Sequence, residues 1–105
     1  MSNEWSASEK KIARRVFDAA LNQELADVLQ VFKAMAANAA DAEAMWATEE
    51  FLSTARREID AKYDFRYSQL HMVFGKLLRE GRIAEADIAG LSDDNLNKIL
   101  RCAEF

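Results

Sequence analysis

A chain of 105 residues with a net charge of −4 is large enough for one domain. Half of its residues are hydrophobic and 30% are charged, which indicates a globular protein rather than a disordered one. The negative charge argues against a general nucleic-acid-binding protein, because such proteins present clustered positive charge to phosphates. The one basic run, from Lys10 to Arg15, is interpreted as a solvated helix face in preference to a phosphate site.

The composition also favours long helices, because the chain has no proline and only three glycines. Long, thin helices bury little surface by themselves, so we expect an oligomer to complete the core. Cys102 is the only cysteine, which fits a reducing cytoplasm. The sequence shows no signal-peptide core and no apolar run long enough for a membrane span. We therefore expect a soluble, cytoplasmic protein.

The first predicted helix begins at Ser6, which forms a capping box with Glu9. Its apolar side chains recur at intervals of three and four, which is the helical period. The pattern extends the helix to about Ala37. The apolar positions are Phe17, Leu21, Leu25, Val28, Phe32 and Met35.

A break is predicted from Asn38 to Asp41, and Asp41 is the expected N-cap of the second helix. Helical spacing continues in the second helix as far as Tyr63, with a break or bend expected at 60–64. Two pairs of opposite charges in the second helix lie four positions apart and are expected to meet on a solvated face. These pairs are Glu58 with Lys62, and Arg56 with Asp60.

Three shorter segments are predicted to follow. One helix begins near Tyr67 and ends at Gly81, where a left-handed C-terminal cap is expected. Residues 83–90 are predicted as a short helix, and Ser92 is expected to cap the last one. The sequence thus predicts a single all-α domain, with an extended helical hairpin and dimerisation region at residues 1–60 and a helical head at residues 61–105.

The sequence offers no convincing catalytic, cofactor or metal site. Protein zinc sites need three or four ligands, whereas His71 and Cys102 are the only residues of their kinds. Glu49 and Glu50 are adjacent, so on a helix they point in different directions and do not share a substrate atom easily. We expect no enzymatic activity, no cofactor and no metal, and we interpret His71 as a partly buried histidine of the head.

Trp46 and Arg56 stand out among the charged residues of the second helix. Tryptophan and arginine are the types that most often carry interface energy, and here they project from neighbouring faces. A protein contact is one interpretation, and ordinary bundle or dimer packing is the other. The candidate dimer and partner surface comprises Met45, Trp46, Glu49, Glu50, Leu52 and Arg56.

Residues 46–81 read WxxxxFLSxxRxEIDxKYDxRYSxLxxVFxxLxxEG, and this pattern resembles the fluorescence recovery protein family of cyanobacteria. The resemblance implies an all-helical homodimer that binds the photoactivated orange carotenoid protein and speeds its return to the resting orange form. Quenching at the phycobilisome thereby ends. The resemblance also implies a dimer centre around Trp46, Glu50 and Arg56, and a partner surface on the head that includes Met72, Phe74 and Lys98.

The sequence departs from the family pattern at the expected contact surfaces. Glu49 stands where the family has histidine, Glu50 replaces aspartate, Ala61 replaces glycine and Met72 replaces an aromatic residue. Two alternatives to the carotenoid-protein regulator stay open, and the departures bear on the first of them. One is a dimeric helical adaptor of the same fold with a different client, possible in a host outside the cyanobacteria, and the other is a small enzyme or ligand-binding protein.

Overall fold

The computed structural model describes residues 5–105, and within them it contains four α-helices, one 3₁₀ helix and no strand. The predicted all-α class is therefore confirmed. The elements, in chain order, are α1 (Ala7–Asn38), α2 (Ala42–Lys62), α3 (Leu70–Arg79), a 3₁₀ helix (Glu85–Ile88) and α4 (Asp93–Ala103).

The start of α1 confirms the predicted capping box. The Ser6 hydroxyl accepts a hydrogen bond from the Glu9 N–H at 3.2 Å, and the Ser6 N–H donates to the Glu9 carboxylate at 3.0 Å. Both bonds satisfy amide groups that a helix end otherwise leaves without an acceptor. The helix spans 32 residues, or about 48 Å at about 1.5 Å per residue.

The boundaries of α2 follow the predicted signals at both ends. The Asp41 carboxylate accepts the Ala44 N–H at 2.8 Å, as an N-cap should. At the other end Tyr63 leaves the helical conformation, so the chain bends inside the predicted range 60–64. The Lys62 ammonium lies 2.7 Å from the Glu24 carboxylate, which brings the end of α2 against the middle of α1.

The third helix begins later than predicted. Residues 63–69 form a connector with turns, and α3 starts only at Leu70. In the connector Arg66 donates to the Asp64 carboxylate at 2.9 Å, and the Phe65 and Tyr67 rings meet edge to face at 5.6 Å. These contacts lie within the connector and stabilise its turns.

The apolar core lies at one end of the molecule. It combines the first half of α1 with α3, the 3₁₀ helix and α4, so residues 61–105 share their core with α1. The division of the chain near residue 60 stays a prediction. The buried core residues are Trp5, Ala13, Val16, Phe17, Ala20, Leu70, Val73, Phe74, Leu77, Ile83, Ile88, Leu91 and Ile99.

Glycines mark two special points of this core. Gly81 has a positive φ of 76°, which confirms the predicted left-handed conformation after α3. A Cβ atom added at Gly75 would lie 2.6 Å from the Cys102 Cβ. Gly75 therefore allows α3 and α4 to approach closely.

The last part of the chain differs from prediction only in detail. The helix predicted at 83–90 is a four-residue 3₁₀ helix. Ser92 caps α4 as predicted, since its hydroxyl accepts the Asn95 N–H at 3.2 Å. None of the helices in the described part of the chain is long and apolar enough to cross a membrane.

Candidate contact surfaces

A shallow groove runs between α1 and α2, close to the turn that joins them. Met45, Glu49 and Leu52 line it from α2, and Phe32 lines it from α1. These three α2 residues share a helix face because they lie four and then three positions apart. The groove has a volume of about 320 Å³, and the Ser53 hydroxyl donates to Glu49 at 2.7 Å.

Trp46 and Glu50 lie on the neighbouring stripe of α2, outside the lining of this groove. The Trp46 side chain is 62% exposed. Arg56 is also exposed, and its guanidinium lies 3.8 Å from the Asp60 carboxylate, so the predicted pair is present. The structure thus divides the predicted set between two adjacent stripes. We call the whole set the α2 surface; its members are Met45, Trp46, Glu49, Glu50, Leu52 and Arg56.

Several exposed apolar side chains lie on the part of α1 and α2 that is away from the core. In α2 they belong to the α2 surface, and in α1 they come from its second half. Burial of such side chains is favourable by about 25 cal/mol per Å² of apolar area, so this end of the molecule is suited to a contact. The α1 residues are Leu25, Leu29 and Val31, each about half exposed.

The head carries a second shallow groove, of about 350 Å³, and it brings two of the predicted residues together. Met72 from α3 is 62% exposed, and Lys98 from α4 stands beside it and lies 3.3 Å from Asp94. The predicted role of Phe74 is corrected, because this side chain is fully buried in the core and offers no surface. We call this site the head groove; it is lined by Ser68, His71, Met72, Lys98, Arg101, Cys102 and Phe105.

His71 is partly buried, as the sequence predicted. Its ring stacks on Trp5, with centroids 5.1 Å apart, and its Nε2 lies 2.7 Å from the Asn95 Oδ1. Asn95 is fully buried and donates through Nδ2 to the Glu9 carboxylate at 2.7 Å. The floor of the head groove is therefore tied to the first turn of α1.

Glu9 is the carboxylate at the centre of this arrangement. It is 7% exposed and also accepts the Ser92 N–H at 2.9 Å. Burial opposes its ionisation, but the hydrogen bonds from Ser92, Ser6 and Asn95 outweigh burial and lower the pKa of Glu9 to about 2. The carboxylate is therefore ionised at neutral pH.

The sequence did not predict that Trp5 stacks on His71 or that Asn95 bonds to Glu9. It also did not predict that Glu9, besides capping α1, accepts a hydrogen bond from the Ser92 N–H. Trp5 could have been found, because an apolar residue just before a capping box often packs onto the helix. Nothing local pointed to Asn95. Its partners lie far away in the chain, and only the packing of α4 on α1 brings them together.

Metal-binding groups are not clustered in the described residues: nowhere in 5–105 do three histidine, cysteine, aspartate or glutamate side chains converge in a geometry able to hold a metal ion. The Nε2 atom of His71 lies within hydrogen-bonding distance of Asn95, and the His71 ring stacks on Trp5. Glu49 and Glu50, the adjacent carboxylates, lie on different stripes of α2. The α2 surface and the head groove therefore offer hydrogen-bonding groups, charges and apolar side chains.

The fold and these two surfaces define a small all-helical protein with exposed surfaces of mixed apolar and charged character. Residues 5–103 match the family described as "Photoprotection regulator fluorescence recovery protein". The fluorescence recovery protein of Synechocystis sp. (strain ATCC 27184 / PCC 6803 / Kazusa) is 36% identical over 101 residues, which cover 96% of this chain and 93% of that protein.

Solved structures of fluorescence recovery proteins have the same fold as this chain. The fluorescence recovery protein of Fremyella diplosiphon matches with a TM-score of 0.91 at 34% identity, over 96% of this chain and 99% of that one. The structure from Synechocystis sp. PCC 6803 matches with a TM-score of 0.91 at 35% identity and the same coverage. This chain belongs to the fluorescence recovery protein family of photoprotection regulators.

Proposed function

We propose that this protein binds the photoactivated orange carotenoid protein and accelerates its return to the resting orange form, which ends quenching at the phycobilisome. The observation that carries the proposal is the family match, which extends over residues 5–103. The exposed α2 surface and head groove support it, since they offer apolar and charged groups for a protein contact. We place this activity in the cytoplasm and regard it as non-enzymatic.

The active form in this proposal is an elongated homodimer, built from the hairpin of α1 and α2. Leu25, Leu29, Val31 and Trp46 support it, because apolar groups of this size favour burial against a second copy. Met45 and Leu52, at the groove between the two helices, would extend the same contact. The head, with Met72 and Lys98, then remains open to the client, which also contacts the edge of the α2 surface that the second copy leaves exposed.

The mechanism is a shift of populations rather than a covalent reaction. A regulator that binds the resting form of its client more tightly than the activated form shifts the equilibrium by that difference in affinity. A regulator that prefers an intermediate of the return instead speeds recovery without changing its end point. Either route needs complementary surfaces and no catalytic group.

The test is the rate at which a photoactivated orange carotenoid protein regains its orange absorption in the dark. We expect the wild-type protein to accelerate recovery, and Arg56→Leu to abolish the acceleration or to split the dimer. Arg15→Leu is the matched control, because Arg15 is an exposed arginine of α1 outside both surfaces. A wild-type protein that accelerates recovery of none of several orange carotenoid proteins would exclude the proposed function.

A second candidate is a dimeric adaptor of the same fold with another client. The observation that favours it is the exposure of Glu49 and Met72, two positions at which the sequence departs from the family pattern. Pull-down of a different protein by wild type, but not by Trp46→Ala, would support the adaptor. A strictly monomeric protein would argue against both candidates.

A further inference from the structure

Lys62, the last residue of α2, is a lysine with an almost fully buried side chain. Only 9% of the side chain is exposed, and its ammonium lies 2.7 Å from Glu24 of α1 and 2.7 Å from Glu80 at the end of α3. The local pair expected with Glu58 is therefore replaced by two bonds over long sequence distances. One ammonium joins three helices.

Neighbouring groups extend these contacts. The Tyr63 hydroxyl donates to Glu24 at 2.8 Å, and the Arg82 guanidinium lies 3.5 Å from Glu24 and 2.5 Å from Asp27. Burial opposes the ionisation of Glu24, but hydrogen bonds from Lys62 and Tyr63 lower its pKa. We call this group the Lys62 cluster; its members are Glu24, Asp27, Lys62, Tyr63, Glu80 and Arg82.

The cluster lies where the apolar core ends. The last fully buried residue of α1 is Ala20, and beyond it α1 is largely exposed. In α2 the buried residues are Thr48 and Ile59. The apolar core therefore stops short of the second half of α1 and of the part of α2 that carries the α2 surface, and the charged groups of the cluster link both helices to the head.

The bonds of the cluster limit how the three helices can move relative to one another. Charge-assisted hydrogen bonds are short and directional, and here they act beyond the end of the apolar core. The Lys62 ammonium keeps both bonds only while the end of α2 stays close to the middle of α1 and to the end of α3.

We propose that Lys62 is a positioning residue, which fixes the orientation of the α2 surface relative to the head groove so that one client engages both at once. The proposal rests on the proposed function in taking both surfaces as contacts. Two sites that engage together gain affinity only when their geometry permits it. Rigidity set before binding also avoids part of the entropic cost of association.

The first experiment measures orientation without any client. Spin labels are placed at Glu43→Cys in the first turn of α2 and at Glu85→Cys in the head, both exposed positions, with Cys102→Ala to remove the native thiol. Dilution with unlabelled protein isolates the distance within one chain. We expect a narrow distance distribution, a broad one for Lys62→Met, and no change for Lys11→Met, an exposed lysine outside the cluster.

The second experiment measures recovery kinetics with photoactivated orange carotenoid protein. We expect Lys62→Met to need a concentration on the order of tenfold higher for half-maximal acceleration, with helical content and dimer unchanged. Met retains an unbranched apolar stem, and Tyr63 and Arg82 still satisfy Glu24. If Lys62→Met loses helical content, Glu80→Gln is used instead. That substitution removes the charge of one of the two carboxylates that contact Lys62, and Glu80 is partly exposed.

The outcomes separate the two proposals. A distribution for Lys62→Met (or for its substitute Glu80→Gln) as narrow as that of the wild type overturns the positioning role. A broad distribution with unchanged half-maximal concentration also overturns it, since one client would not then need both surfaces at a fixed angle. A wild-type protein without recovery activity excludes the proposed function, while the distance measurement still decides whether Lys62 sets the orientation.

Discussion

Replacement of Glu9 by glutamine is expected to destabilise the protein strongly, although it removes one charge and almost no volume. The Glu9 carboxylate accepts hydrogen bonds from the Ser6 and Ser92 N–H groups and from the Asn95 amide. Glutamine offers one oxygen and points an NH₂ group at the remaining donors. The loss of a hydrogen bond to a charged group costs about 1.5–3 kcal/mol.

The lowered pKa of Glu9 expresses the effect of the same hydrogen bonds as a free energy. It is lowered from 4.5 to about 2, and each unit corresponds to about 1.4 kcal/mol, so the ionised carboxylate contributes at most about 3.5 kcal/mol. Because the folded pKa lies below the unfolded one, this contribution is complete above pH 4.5. It is lost as the pH falls towards 2.

The measurement is urea unfolding followed by far-UV circular dichroism at one fixed protein concentration. We expect Glu9→Gln to lower the free energy of unfolding by about 2–3 kcal/mol at neutral pH. The difference from wild type should shrink as the pH falls from 4.5 towards about 2. The matched control is Glu58→Gln, which removes an exposed carboxylate and should have little effect. A loss below about 0.5 kcal/mol, or one that does not change with pH, would refute this role for Glu9.

Three further substitutions test packing and assembly. Gly75→Ala should destabilise the protein by about 1–3 kcal/mol in urea unfolding, because the added Cβ would clash with the Cys102 Cβ. The clash should outweigh alanine's higher helix propensity. An unchanged unfolding midpoint would show that α4 moves aside at little cost. Trp5→Ala should cost about 3–5 kcal/mol, since Trp5 is buried in the core, and a loss no larger than that of a surface substitution would contradict this position. In the proposed homodimer Leu29 lies at the interface, so Leu29→Glu should shift dimer to monomer in sedimentation, whereas Leu100→Glu on α4 should not. A Leu29→Glu dimer as tight as that of the wild type would contradict an interface at this position.

The sequence allowed good prediction where the signal was local. The caps at Ser6, Asp41 and Ser92 each depend on a side chain and an amide three residues apart, and all three are present. The left-handed Gly81 is another local feature. Helix boundaries near such signals were correct to within a few residues.

Prediction failed where the outcome depended on how helices pack. The charge at Lys62 pairs with Glu24 and Glu80 instead of the nearby Glu58. Phe74 and Met72 are two residues apart on α3, so they face different sides of the helix, and spacing alone does not say which side meets α4. In the structure Phe74 is buried and Met72 is exposed.

The bonds of Glu9 to Ser92 and Asn95 also bear on the order in which the protein folds during its synthesis. These residues follow Glu9 by 83 and 86 positions, and much of the core around Trp5 comes from residues 70–99. The ribosome adds residues from the N-terminus, so α1 emerges complete while the groups that bury its first turns are still unmade. The core can close only when translation has passed Ile99, and until then α1 presents its apolar face to the cell.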